Sequence, residues 1–461
     1  MSGSPDHHFP HLVTGWACVV CGERVGLDET APWRCPNSTA DDRHHVLGVV
    51  TDSPGEPSDV AALRSAVWSE AATRSGAAPG SEPSDHPFVA HDHRLAWAAI
   101  AAVHGMSHDQ RIELVGSLDE AIRRVDGVGF VTTPFERSSV LSERLGFAAD
   151  GGVWAKDETR GVGGSQKARH LFSILLHLRA MEVLGLSGER PRLAIASCGN
   201  AALAAATLAR AAEWPIDVYV PTWMSNGFGD RLDALGATTH RCERRVDDPP
   251  GDPAMLRFRE AVDAGAVPFT VQGPENALSL DGGRTIGWEI ADQTIASDGP
   301  GRLGAMFVQV GGGAFAACLG AGLVESGVSA PLIAVQTEGC APFDRALAAS
   351  TGVDAPGRRW SEIMVPWQDP HSLADGILDD ETYDWIGVLG AVRRTGGGSV
   401  VASEANVIEA HRLAHEAGFD ASPTGASGLA GLLHTGGADG TAGGRFAPTE
   451  RVGLVISGVT R

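Results

Sequence analysis

Of the 36 basic side chains in this sequence, 34 are arginine and only two, Lys156 and Lys167, are lysine. An arginine-biased chain can use guanidinium wherever a positive charge is all that is needed. It cannot do so where a deprotonated primary amine must form an imine. Lys167 follows the flexible stretch "GVGGS" and opens the apolar helical segment "KARHLFSILLHL". In the first turn of a helix between two lobes, it would feel the positive end of the helix dipole and partial desolvation, both of which lower its pKa. On composition alone, a chance surface lysine explains the count equally well.

Three further stretches carry groups that can converge on a ligand. In "VQVGGGAFAACLGAGL" a buried strand runs into Gly311, Gly312 and Gly313 and then a helix from Ala314, an arrangement that points backbone N–H groups at a phosphate. Gly311, Gly313 and Ala316 also satisfy G-x-G-x-x-A, with Glu338 ending the next strand, so a nicotinamide dinucleotide site is the rival reading. In "IASCGNAALAAATLA" the residues Ser197, Cys198, Gly199 and Asn200 offer a hydroxyl, backbone N–H groups and a carboxamide to a carboxylate or phenolic oxygen. Taken alone, Asn200 reads as a helix cap. The final "LVISGVTR" is a strand that delivers Ser457 to a sheet edge, where an ordinary turn serine is the plain alternative.

Near the start, "CVVCG" and "WRCPNS" place Cys18, Cys21 and Cys35 as a zinc ribbon would, with Ser38 where a fourth Cys is expected. His44, His45 and Asp41 are the neighbours able to complete a metal site. The alternative is a degenerate ribbon that packs without metal.

These groups need rigid elements behind them. Short apolar runs ("RLAIAS", "IDVYV", "AMFVQV", "PLIAVQ", "RVGLVIS") alternate with Ala-rich helical stretches such as 200–212 and 314–324. This alternation predicts parallel sheets covered on both faces. The chain of 461 residues is too long for one comfortable sheet, so the expectation is an α/β fold of two doubly wound parallel-sheet lobes with a cleft between them, plus a Cys-containing ribbon-like N-terminal extension. The expected divisions are a ribbon over 1–50, a linker and helical arm over 51–124, a large lobe over 125–167 and 270–461, and a small lobe over 168–269. Within the second of these, 51–87 is rich in Ser, Pro, Gly and Ala and reads as a linker or loosely packed arm; "VDDPPGDP" and "TGGADGTAGG" read as surface loops.

A formal charge of −21 with no Lys/Arg cluster disfavours nucleic acid and anionic membranes as partners. The absence of a signal-like N-terminus or a spanning apolar run leads to the expectation of a cytoplasmic protein. Seven cysteines, an odd number spread over a long chain, fit a reducing compartment rather than a disulfide framework.

Taken in order, the lysine in "GSQKAR", the "SCGN" turn, the Gly-rich loop and the late "SG" resemble fold-type-II pyridoxal-phosphate enzymes, the tryptophan-synthase β superfamily. "VWAKDETRGVGGSQKAR", "GGRTIGWEI", "VQTEGCAP", "SLADGI" and "SPTGASGLAGL" are similar to segments of its threonine-synthase and dehydratase branch, over roughly residues 125–461. The resemblance implies that Lys167 holds pyridoxal phosphate as a Schiff base and later shuttles the Cα proton. It implies that Gly311, Gly312, Gly313 and Ala314 bind the phosphate and that Asn200 bonds the ring oxygen. Ser197, Cys198 and Gly199 would grip the substrate carboxylate, and Ser457 would meet the pyridine nitrogen. The implied activity is a lyase expelling a β or γ leaving group from a small amino acid through an aminoacrylate-type species, or a β-replacement synthase on that same species, in a homodimer. A non-catalytic amino-acid-binding relative is the rival from another class. The chain departs from threonine synthases at Gln166 and Ala168 around the lysine, in "SGVTR" at the end, and at Ser422 where many relatives place a glutamate, so a phosphohomoserine substrate does not transfer.

Overall fold

A computed structural model describes residues 12–51, 85–249, 251–296, 298–436 and 446–460. Most of the expected 51–87 linker and most of "TGGADGTAGG" lie outside the described residues. The chain opens with a three-stranded antiparallel ribbon of β1 (Val13–Cys18), β2 (Arg24–Val25) and β3 (Leu47–Thr51), in the order β2-β1-β3. Helices α1 (Ala96–Val103) and α2 (His108–Asp126) follow, the latter started by a reciprocal Ser107/Gln110 capping box and ended by Gly127 at positive φ.

These two helices do not stand off as an arm. Trp97, Ile100, Val115 and Ile122 share one apolar core with ribbon residues Trp16, Leu27 and Leu47 and with Phe172 and Leu176. The composition of 51–87 reads as linker-like, but the wholly apolar α1 and the apolar stripe of α2 commit these helices to the core.

Two parallel sheets then form. The smaller contains β6 (Leu193–Ala196), β7 (Ile216–Pro221), β8 (Thr238–Cys242) and β9 (Val267–Pro268) in the order β8-β7-β6-β9. The larger has the order β12-β11-β10-β13-β5-β4, built from β4 (Phe135–Ser138), β5 (Gly152–Asp157), β10 (Ala305–Gln309), β11 (Leu332–Thr337), β12 (Gly398–Ala402) and β13 (Arg451–Ile456). Only β4 runs antiparallel to its neighbour, at the edge. Every residue of β10 and β11 is buried, because helices cover both faces of a parallel sheet. The fold is the expected mixed α/β one, with the cysteine-bearing ribbon ahead of it.

Helices α3 (Lys167–Val183), α4 (Asn200–Ala211), α7 (Ala277–Ile295) and α8 (Ala314–Glu325) pack on one another, and α5 (Asn226–Ala234) and α6 (Pro253–Asp263) pack against strands of the smaller sheet. Helix α7 packs on both α3 and α8 at backbone distance. A Cβ on Gly282 would stand 2.1 Å from the Arg169 carbonyl oxygen, and one on Gly287 would stand 2.6 Å from that of Leu319. Glycine is required there by close approach, and "GGRTIGWEI" is the sequence trace of that wedge.

Four buried ions lock the same junction. Lys156 on β5 donates to Glu289 of α7 at 2.5 Å and to the Thr133 carbonyl at 2.6 Å. Arg169 of α3 pairs with Glu289 and, at 3.0 Å, with Glu158 just after β5. All four side chains are at most 3% exposed, and two positive charges meet two negative ones. Lys156 is therefore a structural lysine: a compact ammonium fits a closed pocket in which the larger planar guanidinium is already used once, by Arg169.

Although burial alone would raise its pKa, Arg169 and Lys156 hold the Glu289 carboxyl down at about 2. A depressed carboxyl contributes stability that is present above its unfolded value of 4.5 and is lost as pH falls toward 2. Glu289→Gln leaves two buried cations with one carboxylate and should cost about 3–5 kcal/mol at pH 7. Urea unfolding should show the variant's deficit shrinking as pH drops below 4.5; an equal deficit at every pH would contradict the ionic account.

Candidate functional site

Each of the four motifs sits just past the C-terminal end of a parallel strand, where ligand clefts of such sheets open. Lys167 is the first residue of α3 and is reached from β5 through a turn in which Gly163 and Gly164 take left-handed φ of 65° and 63°. The chain end completes this turn. The Gln166 N–H donates to the Ser457 carbonyl at 3.1 Å and the Val459 N–H to the Gly164 carbonyl at 2.9 Å, with Ser165 bridged to Gly458. Two stretches about 290 residues apart in sequence are thus tied together by backbone hydrogen bonds.

Ser457 is buried, and its Oγ accepts a hydrogen bond from the Gln309 amide at the end of β10. Because that amide donates, the serine keeps its own proton to donate elsewhere. Ser422 donates its backbone N–H to the Gly458 carbonyl at 3.0 Å and its hydroxyl to the same oxygen at 3.3 Å. It holds the turn by hydrogen bonds, and no charge is involved. Asn200 arrives from the other sheet: a Cβ on Gly458 would meet its Nδ2 at 2.8 Å. Gly199, not Asn200, is the N-cap of α4, so the carboxamide is not spent on capping. Ser197, Cys198 and Gly199 are half-buried, and the Gly199 N–H turns back to the Ser197 hydroxyl at 3.3 Å.

Past β10, Gly313 takes φ 93° and caps α8. A loop from α9 (Pro342–Ala349) toward α10 (Trp385–Thr395) lies across this cradle. A Cβ on Gly311 would be 2.6 Å from the Asp379 carboxylate, and one on Gly313 would be 2.7 Å from Thr382. The Asp384 N–H donates to the Gly312 carbonyl at 2.8 Å, and its carboxylate accepts from the Gly273 N–H at 3.1 Å.

Charge links these groups. Burial lowers the Lys167 amine below its ordinary range, while the Asp379 and Asp384 carboxylates work the other way. Burial likewise raises Asp379 to about 6, against the pull of Lys167 and the Gly312 N–H, and raises Asp384 to about 7, against the Gly273 N–H and Lys167. The Cys198 thiol is pushed up to about 11 by burial, with Asp252, Asp375 and Asp379 adding to it. The Asp379 carboxylate is thus within electrostatic reach of Lys167 and Cys198 while it rests against Gly311. Among the described residues Lys167 has no hydrogen bond or close ion pair, so its amine is open to chemistry.

The cradle passes a direct test for an anion-bearing cofactor. Asp379 already rests a negative oxygen against Gly311, with the Gly312 N–H favouring its charged form, as a phosphate would. The dinucleotide reading fares worse. The carboxylate of Glu338, which that reading needs for a ribose, accepts the backbone N–H of Glu404 at 2.9 Å, at the start of α11 (Glu404–Glu416).

Sequence reasoning missed Asp379, Asp384 and Gln309. An acidic run such as "DDETYD" looks like a solvated loop, and Gln309 looks like a strand residue. Only the placement of Lys167 and Ser457 reveals them. In the ribbon, Cys18, Cys21, Cys35 and His45 gather with all ligand atoms within 4.8 Å of one another, whereas His44 stacks on Trp360.

The pattern of the family described as "Pyridoxal-phosphate dependent enzyme" matches residues 129–458. No curated protein matches the chain. Solved structures share the fold. The processed form of threonine deaminase isoform 2 from Solanum lycopersicum is 20% identical, with 78% of this chain and 92% of that one covered at a TM-score of 0.56. An L-serine ammonia-lyase from Rhizomucor miehei is 20% identical, with coverage of 72% and 94% at 0.55. A serine racemase from Dictyostelium discoideum is 18% identical, with coverage of 75% and 98% at 0.52. Among the described residues, no helix is long and apolar enough to cross a membrane.

Because Asp379 competes for the cradle, Asp379→Asn should tighten binding of pyridoxal phosphate by roughly tenfold, about 1.4 kcal/mol. Fluorescence titration of the cofactor-stripped chain would read this; weaker binding would mean that Asp379 does not oppose the phosphate.

Proposed function

The chain belongs to the pyridoxal-phosphate dependent enzyme family, and from that premise we propose that it is a lyase that expels a β or γ leaving group from a small α-amino acid. The observation that carries this reading is the contrast between the two lysines: Lys156 is sealed in an ion pair, while Lys167 stands unpaired where the "SCGN" turn, the glycine cradle and the C-terminal turn meet.

Bound pyridoxal phosphate would supply the electron sink for charge released at the substrate Cα. Lys167 would attach it through the ε-nitrogen and, when released, would take the Cα proton and pass it to the departing group. The N–H groups of Gly311, Gly312, Gly313 and Ala314 would hold the phosphate in place of the Asp379 carboxylate. Asn200 would donate to the ring oxygen, and Ser197, Cys198 and Gly199 would hold the substrate carboxylate. Ser457, kept free to donate by Gln309, would face the ring nitrogen. A neutral hydroxyl does not keep that nitrogen protonated, which weakens the sink and favours rapid departure of a leaving group over a long-lived carbanion. The ligand space would lie between a small lobe over 168–269 and a large lobe over 125–167 and 270–461. The similarity to a threonine deaminase and to an L-serine ammonia-lyase supports elimination.

The purified chain mixed with pyridoxal phosphate should turn yellow, and borohydride reduction followed by peptide mapping should mark Lys167 and leave Lys156 unmarked. A colourless Lys167→Arg variant is expected; a variant that keeps full activity would overturn the proposal. An O-substituted serine should release keto acid unaided. Consumption only when a thiol or amine is added would assign β-replacement instead.

A further inference from the structure

The ribbon gathers a second cluster of chemistry-bearing side chains, Cys18, Cys21, Cys35 and His45. The Sγ atoms of Cys21 and Cys35 are 3.7 Å apart, and Cys18 Sγ is 3.4 Å from His45 Nδ1. The sulfur–sulfur distance is too long for a disulfide, whose sulfurs sit about 2.05 Å apart, and all seven cysteines are free. Both distances fit a tetrahedron around zinc, for which Zn–S of about 2.3 Å and Zn–N of about 2.0 Å give S···S edges near 3.8 Å and S···N edges near 3.5 Å.

The surroundings match a ligand set as well. Asp42 holds His45 Nε2 at 3.4 Å, which favours the proton on that nitrogen and leaves the Nδ1 lone pair facing the thiols. The Asn37 amide points at Cys21 Sγ at 3.4 Å. The two cysteine turns are set by backbone bonds, Gly22 N–H to the Cys18 carbonyl and Ser38 N–H to that of Cys35, both 2.9 Å. Cys18, Cys35 and His45 are buried.

We propose that Cys18, Cys21, Cys35 and His45 bind one zinc ion in a closed structural site, with His45 taking the place of the absent fourth cysteine. Binding replaces the thiol protons with metal–sulfur bonds and releases them to solvent. Four protein ligands leave no open position for a substrate, so the ion's work is mechanical.

The loops it fixes reach three parts of the enzyme. The Thr30 carbonyl accepts from His177 Nε2 of α3 at 2.8 Å, and the Trp33 carbonyl accepts from the N–H of Ala277, the first residue of α7, at 2.8 Å. His44, next to the ligand His45, stacks on Trp360 at 4.2 Å and lies 3.7 Å from Glu381 on the loop over the glycine cradle. Zinc would hold the ribbon as a clip against the lysine helix, the wedge helix and that loop. The assignment does not depend on the reaction proposed for Lys167.

Metal analysis of the desalted full chain from zinc-supplemented culture should find about one zinc per chain, and X-ray absorption at the zinc edge should fit three sulfurs and one nitrogen. His45→Asn should lose zinc to a competing chelator at least tenfold more readily, as is usual for loss of a ligand or its support. The double variant Cys21→Ser/Cys35→Ser should retain under a tenth of the metal. Chelation should also speed hydrogen exchange in 30–36 and 357–381. A wild-type chain that is metal-free, carries iron, or shows a disulfide by mass overturns the site, as does a His45→Asn variant that keeps its zinc; unchanged exchange overturns the clip. If the cysteine variants fail to fold, the absorption spectrum of the wild-type chain decides.

Discussion

Helix α3 has to present one amine to a cleft while its own start is buried, and the ion quartet of Lys156, Glu158, Arg169 and Glu289 satisfies both demands. Arg169 sits two residues past Lys167, so any tilt of the helix start would pull a guanidinium from two carboxylates with no water to replace them. Buried ions of this kind add little net stability compared with apolar packing, but they resist displacement strongly once formed. The quartet therefore acts on geometry: it ties β5, the helix of Lys167 and α7 into one unit.

Two other constraints act on the same unit from different sides. The glycines of α7 let its backbone touch those of α3 and α8, leaving no slack for a side chain to take up. The last strand then returns the chain end to the turn ahead of Lys167, where backbone hydrogen bonds bring Ser457 into register with Gln166. Because Gln309 both ends the strand before the glycine cradle and donates to Ser457, the cradle and the serine are set by the same residue.

The acidic loop at 379–384 gives the site its electrostatic character. Its carboxylates are crowded where burial disfavours charge, which raises Asp379 and Asp384 toward neutrality, while the Lys167 amine pulls both the other way. Such a loop is poised between two partners, the glycine N–H groups and the lysine. Its link to the ribbon through Glu381 and His44 connects the N-terminal cysteines to the same region.

By itself, the sequence determined the elements and the order of the motifs. Apolar runs of strand length alternating with Ala-rich helices leave few topologies, and loops after parallel strands must open on one side, so "SCGN", "GGG" and "SG" were bound to sit at strand ends. The sequence pointed to Lys167, through the glycine turn before it and the apolar helix it opens, but gave Lys156 no role. It could not tell His45 from His44 or Asp41, or see that Asp379 lies on the glycines, or that α1 and α2 join the core. Those outcomes depend on hydrogen bonds, ion pairs and close backbone contacts between residues remote in sequence. Local patterning reports which face of an element is apolar, whereas the partner waiting on that face is decided only when the sheets, helices and ribbon pack together.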